Sequence, residues 1–111
     1  MEFRNLTPYE LNVHGPFAGN IPASGEIARV AVEEEEVFPG FYLTTFGPVT
    51  GLPEPVPGVV IIVSQMVRTE VPYRGDVVSP GKLVRNAEGH PVGCHGFYCN
   101  PGFPGFAEEE G

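Results

Sequence analysis

The chain has 111 residues and a formal net charge of −8, and it contains 15 glycines and 13 prolines. This length predicts one domain that buries a core without a metal or a disulfide. The six lysines and arginines are too few to neutralise the phosphates along a nucleic-acid duplex, so we expect no partner of that class.

The apolar runs of the chain are short. The longest uninterrupted run covers residues 59–63 and cannot cross a bilayer, so we expect no membrane partner. The first five residues do not combine a basic region with an apolar one, and no secretory signal is therefore expected. These features predict a cytoplasmic protein in which Cys94 and Cys99 stay reduced.

Three strands are predicted in the N-terminal half. Leu11 and Val13 alternate with polar residues, as in a half-buried strand, and residues 27–32 predict a second strand by their alternation. The four glutamates at 33–36 interrupt this pattern, and like charges in a row predict a solvent-exposed hairpin loop. Aromatic and β-branched residues at 41–46 predict the third strand.

The middle of the chain predicts a stiff connector, a buried strand and a short helix. Proline at every second position of residues 52–58 favours extended backbone. Residues 59–63 are all β-branched, which is typical of a central strand covered on both faces. Ser64 is a candidate N-cap for a helix over residues 65–70, and Pro72 would end that helix.

The C-terminal third predicts a short strand, a hairpin and a tail. Residues 76–78 form the strand, and the Ser-Pro-Gly sequence at 79–81 favours a turn after it. Asn86 and Gly89 suit the turn of a bulged hairpin, with extended residues on both sides.

Residues 101–111 show no strand pattern and form a predicted tail rich in proline, glycine and glutamate, whose Phe103 and Phe106 could dock on a neighbouring surface. The β domain then spans residues 1–100. We predict an all-β fold, a small single-domain barrel or sandwich of about seven short strands with one short helix.

Six short motifs occur in order along most of the domain. They are Asn-Leu-Thr-Pro from residue 5, Ile-Pro-Ala-Ser-Gly from 21, Gly-Leu-Pro-Glu-Pro from 51, Ile-Val-Ser from 62, Arg-Gly-Asp-Val-Val-Ser-Pro from 74 and Gly-Cys from 93. This string resembles an uncharacterised family of small bacterial proteins associated with phages and prophages. The chain departs from the family's pattern at Tyr9, where histidine is common, and in its acidic aromatic tail. The resemblance implies a role toward host machinery, a host signal or virion assembly, and it implies no catalytic residues.

Four residues of metal-binding type lie close together in the sequence: His90, Cys94, His95 and Cys99. On a strand, the first two face one side and the last two face the other, so the spacing disfavours one tetrahedral zinc site. The length of an extended segment likewise disfavours a Cys94–Cys99 disulfide. We expect two buried cysteines and two exposed histidines, with no metal and no cofactor.

No catalytic arrangement is evident, and we predict that the protein is not an enzyme. Ser64 lacks the flanking glycines of a nucleophile elbow, and a capping role explains its position. No glycine-rich phosphate loop leads into a helix. The glutamates at 33–36 and 108–110 do not converge on one calcium ion as spaced ligands do, so we interpret them as a solvated loop and tail.

Four of the six basic residues fall within residues 68–85. An arginine beside a tyrosine can hold a phosphate through two hydrogen bonds and stack on a base. The alternative is ordinary surface charge, in which Arg74 pairs with Asp76 and Arg68 with Glu70 or a neighbour. The candidate ligand-binding residues are Arg68, Tyr73, Arg74, Asp76, Lys82 and Arg85.

Two functions are compatible with these features. A non-catalytic binding protein of phage or mobile-element type would use the basic window, residues 68–85, to sequester an anionic, nucleotide-like small molecule or a host protein. The alternative is a protein-interaction or assembly component of a virion or homo-oligomer, without a small-molecule ligand, that uses the aromatic tail and the sheet edges.

Overall fold

The computed structural model describes residues 2–104. Within these residues the elements, in chain order, are β1 (Glu2–Asn5), β2 (Leu11–His14), β3 (Gly19–Ile21), β4 (Arg29–Phe38), β5 (Phe41–Thr50), β6 (Val59–Ile62), α1 (Gln65–Glu70), β7 (Val77–Arg85) and β8 (Pro91–Cys99). No helix in this part of the chain is long and apolar enough to cross a membrane.

Six strands form one mixed sheet that curves into a nearly closed barrel, in the order β1-β6-β7-β8-β2-β3. β6 lies between two parallel neighbours, β1 and β7. β7 and β8 pair antiparallel as a hairpin, and β8 pairs parallel with β2. β4 and β5 form a separate two-stranded sheet. The predicted all-β, small single-domain fold with one short helix is therefore confirmed.

Every residue of β6 is buried, which confirms the predicted central strand. Ile61 belongs to a hydrophobic cluster that includes Val67 of α1. Its neighbour Ile62 belongs to a second cluster with Val78 of β7. Because successive side chains point to opposite faces and both faces are covered, this strand requires an uninterrupted apolar sequence.

Helix α1 has the predicted bounds and the predicted cap. The Oγ of Ser64 accepts a hydrogen bond from the backbone N–H of Val67 at 3.3 Å. At the other end, the N–H of Val71 donates to the carbonyl of Arg68 at 3.1 Å. Pro72 disfavours helical backbone at the residue before it, so the helix ends there.

The Asn-Leu-Thr-Pro motif forms a buried turn between β1 and β2. The Oδ1 of Asn5 accepts hydrogen bonds from the N–H of Thr7 at 2.9 Å and from its hydroxyl at 2.6 Å. The Nδ2 of Asn5 donates to the carbonyls of Tyr9 at 2.8 Å and Ile21 at 3.1 Å. These bonds satisfy the buried amide and fix the path of the chain between the two strands.

β4 and β5 form a long hairpin, residues 29–50, which we call the arm; the rest of the described chain is the body. Val30 and Val49 at the base of the arm pack against the core, whereas most residues beyond them are exposed. The radius of gyration is 15.9 Å, against about 13 Å for a compact domain of this length. The arm therefore projects from the body.

The hairpin loop predicted at residues 33–36 is wrong. These glutamates lie inside β4 and pair with residues 42–45 of β5. The chain reverses instead at Pro39 and Gly40, where Gly40 has a φ of +85° that glycine adopts without strain. Consecutive glutamates are tolerated in this strand because both faces of the projecting ribbon are in water.

The turn predicted at residues 79–81 is also wrong. These residues continue β7, where Pro80 pairs with Phe97 of β8. A Cβ atom on Gly81 would collide with the backbone carbonyl oxygen of His95. The glycine therefore permits a close approach of two strands, which is a second reason for glycine within a sheet besides a turn.

The bulged hairpin predicted between β7 and β8 is confirmed. The Oδ1 of Asn86 accepts hydrogen bonds from the N–H groups of Glu88 at 2.9 Å and His90 at 3.0 Å. Gly89 has a φ of +85°, and the register shifts between Val84 and the next residue. This turn holds the distal halves of β7 and β8 together.

Candidate interaction surfaces

Arg68, the first candidate ligand-binding residue, is hydrogen-bonded within the body. Its Nε donates to the Ser79 hydroxyl at 2.8 Å and its Nη1 to Oδ1 of Asn100 at 3.1 Å. Asn100 is buried, and its Nδ2 donates to the carbonyls of Val71 at 2.9 Å and Arg74 at 3.2 Å. This network joins the residue that follows β8 to the end of α1 and the loop after it.

Arg74 and Asp76 form a bidentate ion pair. The Arg74 Nε donates to Oδ1 of Asp76 at 2.8 Å, and Nη2 donates to Oδ2 at 2.9 Å and to the Pro53 carbonyl at 2.9 Å. The side chains are 15% and 1% exposed. The hydrogen bond to the carboxylate raises the pKa of Arg74 above its usual range, although burial opposes this. The partner of Arg74 is the one that the alternative to a ligand site predicts, but the pair is largely buried and is not ordinary surface charge. The predicted pairing of Arg68 with Glu70 is replaced by the hydrogen bonds to Ser79 and Asn100.

The other three candidates are exposed. Tyr73 lies in the loop after α1, whereas Lys82 and Arg85 lie on the distal half of β7. The Arg85 Nη1 donates to the carbonyl of Gly89 at 2.8 Å. The structure therefore divides the basic window into an internal network and two exposed cations on one strand. Binding of an anionic ligand through this window stays a prediction.

The four residues considered as metal ligands lie on β8 and just before it. Cys94 is buried and pairs across the sheet with Leu83, whereas Cys99 is exposed at the end of its strand. The expectation of two buried cysteines is thus wrong for Cys99, which borders a cavity open to solvent. Both thiols are free. Within residues 2–104, no three or more His, Cys, Asp or Glu residues lie together as a metal site requires.

Large apolar side chains are exposed at the arm tip, which we define as residues 37–43. Phe38 and Phe41 pair across the turn, with ring centroids 5.7 Å apart and planes at 64°. Their exposed fractions are 65% and 63%, and Tyr42 and Leu43 are also more than half exposed. Tyr42 and Leu43 pair across the ribbon with Glu36 and Glu35, so the apolar contact at the tip is the one between the two phenylalanine rings. Large apolar side chains that are exposed together are a feature of protein–protein interaction sites.

The strand that leads to the arm tip is acidic. Glu33–36 alternate between the two faces of the ribbon, so each face carries two carboxylates. One of them, Glu36, accepts a hydrogen bond from the N–H of Gly40 at 3.0 Å. Arg29, at the base, is the single basic residue in the arm sequence. The arm therefore combines an apolar tip with an acidic shaft.

A groove of about 610 Å³ lies beside β2, β7 and β8. Its lining is mostly apolar and includes Tyr9, Leu11, Pro80, Leu83, Val92 and Cys94. Leu83 and Tyr9 are 56% and 71% exposed. Among the described residues, the charged side chain that lines the groove is Glu10, whereas the two exposed cations of the basic window, Lys82 and Arg85, do not line it. This groove is the second exposed apolar surface that we consider for binding.

A smaller cavity of about 280 Å³ is lined by aromatic rings. Phe3 stacks against Phe97 at a centroid distance of 5.4 Å and contacts Phe17 edge-on at 5.9 Å. Phe103 of the predicted tail contributes to the wall of this cavity, so that residue docks on its own domain. Phe106 lies outside the described residues.

The sequence predicted a hairpin from strands at 27–32 and 41–46 but placed its turn at residues 33–36, and it did not identify the arm tip or the groove. The available signal for the arm is the Pro39-Gly40 dipeptide between two pairs of large apolar residues, which is a strong turn signal. The charge of the preceding glutamates obscured it. The groove has no comparable signal because its walls come from three strands separated in the chain.

No family model, curated protein or solved structure that we compared with the chain matches it. The resemblance to a phage-associated family stays a prediction, and the functional conclusion depends on the surfaces described above.

Proposed function

We propose that this protein is a non-catalytic interaction and assembly domain that binds a protein partner through its arm tip. The observation that carries this proposal is the exposure of Phe38 and Phe41 at the end of a projecting ribbon. Only the base of the arm packs on the core, through Val30 and Val49. A two-stranded ribbon is marginally stable by itself, so a contact outside the domain best explains the apolar tip.

The two rings of the arm tip can contribute to the free energy of binding. Burial of one phenylalanine side chain contributes about 1.5–3 kcal/mol. Rigid aromatic residues in the centre of an interface commonly provide most of its binding energy. The glutamates at 33–36 would surround that contact with negative charge. The matching partner surface is an apolar pocket with basic residues at its rim.

Sequestration of a nucleotide-like ligand has less support than protein binding. The guanidinium groups of Arg68 and Arg74 already donate to groups of the body. In the phage or mobile-element setting that the sequence resemblance implies, the protein partner is a host factor or a virion component.

Site-specific photo-crosslinking tests this function. A photoreactive amino acid is placed at position 41 of the full chain, in the cells that naturally produce it. The control carries the same group in place of Met66, which is 46% exposed on α1 and outside the arm. We expect discrete covalent protein adducts from position 41 and none from position 66. Equal labelling from the two positions, or no adduct from position 41, would contradict the proposal.

A further inference from the structure

The two strands of the arm differ in charge along their open edges. β4 carries the glutamates at 33–36, whereas residues 41–50 of β5 include no charged side chain. In the described part of the chain, each of these strands pairs only with the other, so each has one open edge. Charged residues on an edge strand oppose pairing with another chain. The β4 edge is thus protected by its charge, whereas the β5 edge is available for pairing.

The β5 strand also carries exposed apolar side chains on both faces of the ribbon. Tyr42, Thr44 and Phe46 share one face, and Leu43 and Thr45 lie on the other. Tyr42 and Leu43 are more than half exposed, and Phe46 is 43% exposed. The contact between the two phenylalanine rings of the arm tip does not cover these side chains. A contact along the β5 edge would give them cross-strand neighbours.

We infer that the β5 edges of two copies of this chain pair antiparallel about a two-fold axis at Thr44. Residues directly opposite each other in an antiparallel pair lie on the same face, so this axis places Tyr42 of each copy opposite Phe46 of the other. Leu43 then lies opposite Thr45 on the second face. Aromatic cross-strand pairs of this kind stabilise a sheet. Each copy supplies both members of every pair, so the edge is complementary to itself and fits a second copy.

The resulting four-stranded sheet keeps the acidic strands apart. Its order is β4-β5-β5-β4, so the glutamates of both copies lie on the outer strands. Glu34 pairs with Thr44 within the ribbon, and the Glu34 residues of the two copies are therefore separated by about 14 Å, or three strand spacings. The charged outer edges oppose addition of a further copy, so assembly stops at a dimer. This inference goes beyond the proposed function, because it uses the edge of the arm rather than the rings at its tip.

Charge placed at the two-fold axis tests this dimer. Thr44 is exposed, and Thr44→Glu puts two carboxylates directly opposite each other, which destabilises a strand pair. Thr44→Lys does the same with two ammonium groups. Circular dichroism establishes that each variant is folded. In sedimentation velocity over a concentration series, wild type should form a dimer, and each variant alone should raise the apparent dissociation constant at least tenfold. An equimolar mixture should recover the dimer, since opposite charges then meet at the axis.

Disulfide formation tests the position of the axis. The background carries Cys99→Ser, which removes the exposed native thiol. Thr44→Cys should give a covalent dimer on mild oxidation, because directly opposite Cα atoms are about 4.5–5.5 Å apart, within the range of a disulfide. The matched control, Glu34→Cys, lies at the same level and on the same face of the ribbon but on the β4 edge. It should give no covalent dimer.

The inference is overturned by a wild type that stays monomeric, a Thr44→Glu variant that dimerises like wild type, a mixture without dimer, or equal disulfide formation from the two cysteine positions. Failure of the proposed function is a separate result. Thr44→Glu leaves both rings of the arm tip in place, so position 41 should still form adducts with another protein in this variant. If those adducts persist while wild type is monomeric, tip binding stands and edge pairing fails. If wild type dimerises while no such adduct forms, edge pairing stands and tip binding fails.

Discussion

The body and the arm differ in how their side chains are satisfied. In the body, Asn5, Asp76 and Asn100 are nearly completely buried, and each is hydrogen-bonded within the domain. In the arm, Phe38 and Phe41 lie in water although burial would stabilise them. These buried polar groups of the body are thus paired within its own fold, whereas the rings at the arm tip would be covered only by the contact that we propose. This difference is the basis of the binding role that we propose for the arm.

The motifs that suggested a family belong to the body. The motif that begins at Asn5 forms a buried turn, and the motif that begins at Arg74 supplies the ion pair with Asp76. Gly51 of another motif lies so close to the carbonyl oxygen of Ile27 that a Cβ there would be at 2.5 Å. These residues specify a fold, so a resemblance based on them gives little information about binding.

The largest effect is expected from Asp76→Ala in the body. This substitution leaves the guanidinium of Arg74 without its carboxylate partner, and breaking a buried pair costs about 3 kcal/mol or more of unfolding free energy. Urea unfolding measures this loss. In the arm, Glu34→Ala removes an exposed carboxylate and should change the unfolding free energy by less than about 0.5 kcal/mol. Equal effects of the two substitutions would contradict the distinction between body and arm.

The loss caused by Asp76→Ala should not vary with pH through the neutral range. The pKa of Arg74 is raised by its partner, so the stability from its charge is fully present below the pKa of the unfolded chain. That contribution is lost only as the pH rises through the still higher pKa of the folded state. Urea unfolding at neutral and mildly alkaline pH tests this expectation.

The next effect concerns two glycines. Gly81→Ala places a Cβ against the backbone of β8, and such overpacking should cost about 3 kcal/mol. A Cβ atom added at Gly40 of the arm tip has no atom within 4 Å, so only the φ of +85° opposes Gly40→Ala. We expect this substitution to lower the unfolding free energy by about 1 kcal/mol. Thermal unfolding of both variants gives the comparison. A larger loss for Gly40→Ala would show that the arm turn contributes more to folding than the barrel does.

A smaller loss, about 2 kcal/mol, is expected from Asn100→Ala. The Asn100 side chain is hydrogen-bonded to the carbonyls of Val71 and Arg74 and to the guanidinium of Arg68. The substitution removes all of these bonds at once. Asn20→Ala, on exposed β3, is the control and should be nearly neutral. Urea unfolding measures the loss of unfolding free energy in each variant. A loss for Asn100→Ala as small as that for Asn20→Ala would mean that water replaces the network.

The sequence predicted those elements whose signal is local. Ser64 and Pro72 define α1, and the β-branched residues of β6 indicate burial on both faces. The turn of the arm was misplaced because the charge of Glu33–36 suggests a loop, whereas strand pairing in water tolerates that charge. Gly81 was misassigned because a turn and a close strand contact both select glycine. The groove depends on strand order, which no local pattern determines.

The most direct test combines stability and binding in the arm variant with Phe38→Ser and Phe41→Ser. Because both rings are exposed, its unfolding free energy, measured in dilute solution, should stay within about 0.5 kcal/mol of wild type. Native mass spectrometry of this variant, isolated from the cells that naturally produce the protein, should show none of the complexes that wild type forms with other proteins. Retention of every wild-type complex, or a loss of more than about 2 kcal/mol in unfolding free energy, would contradict a binding role for the arm.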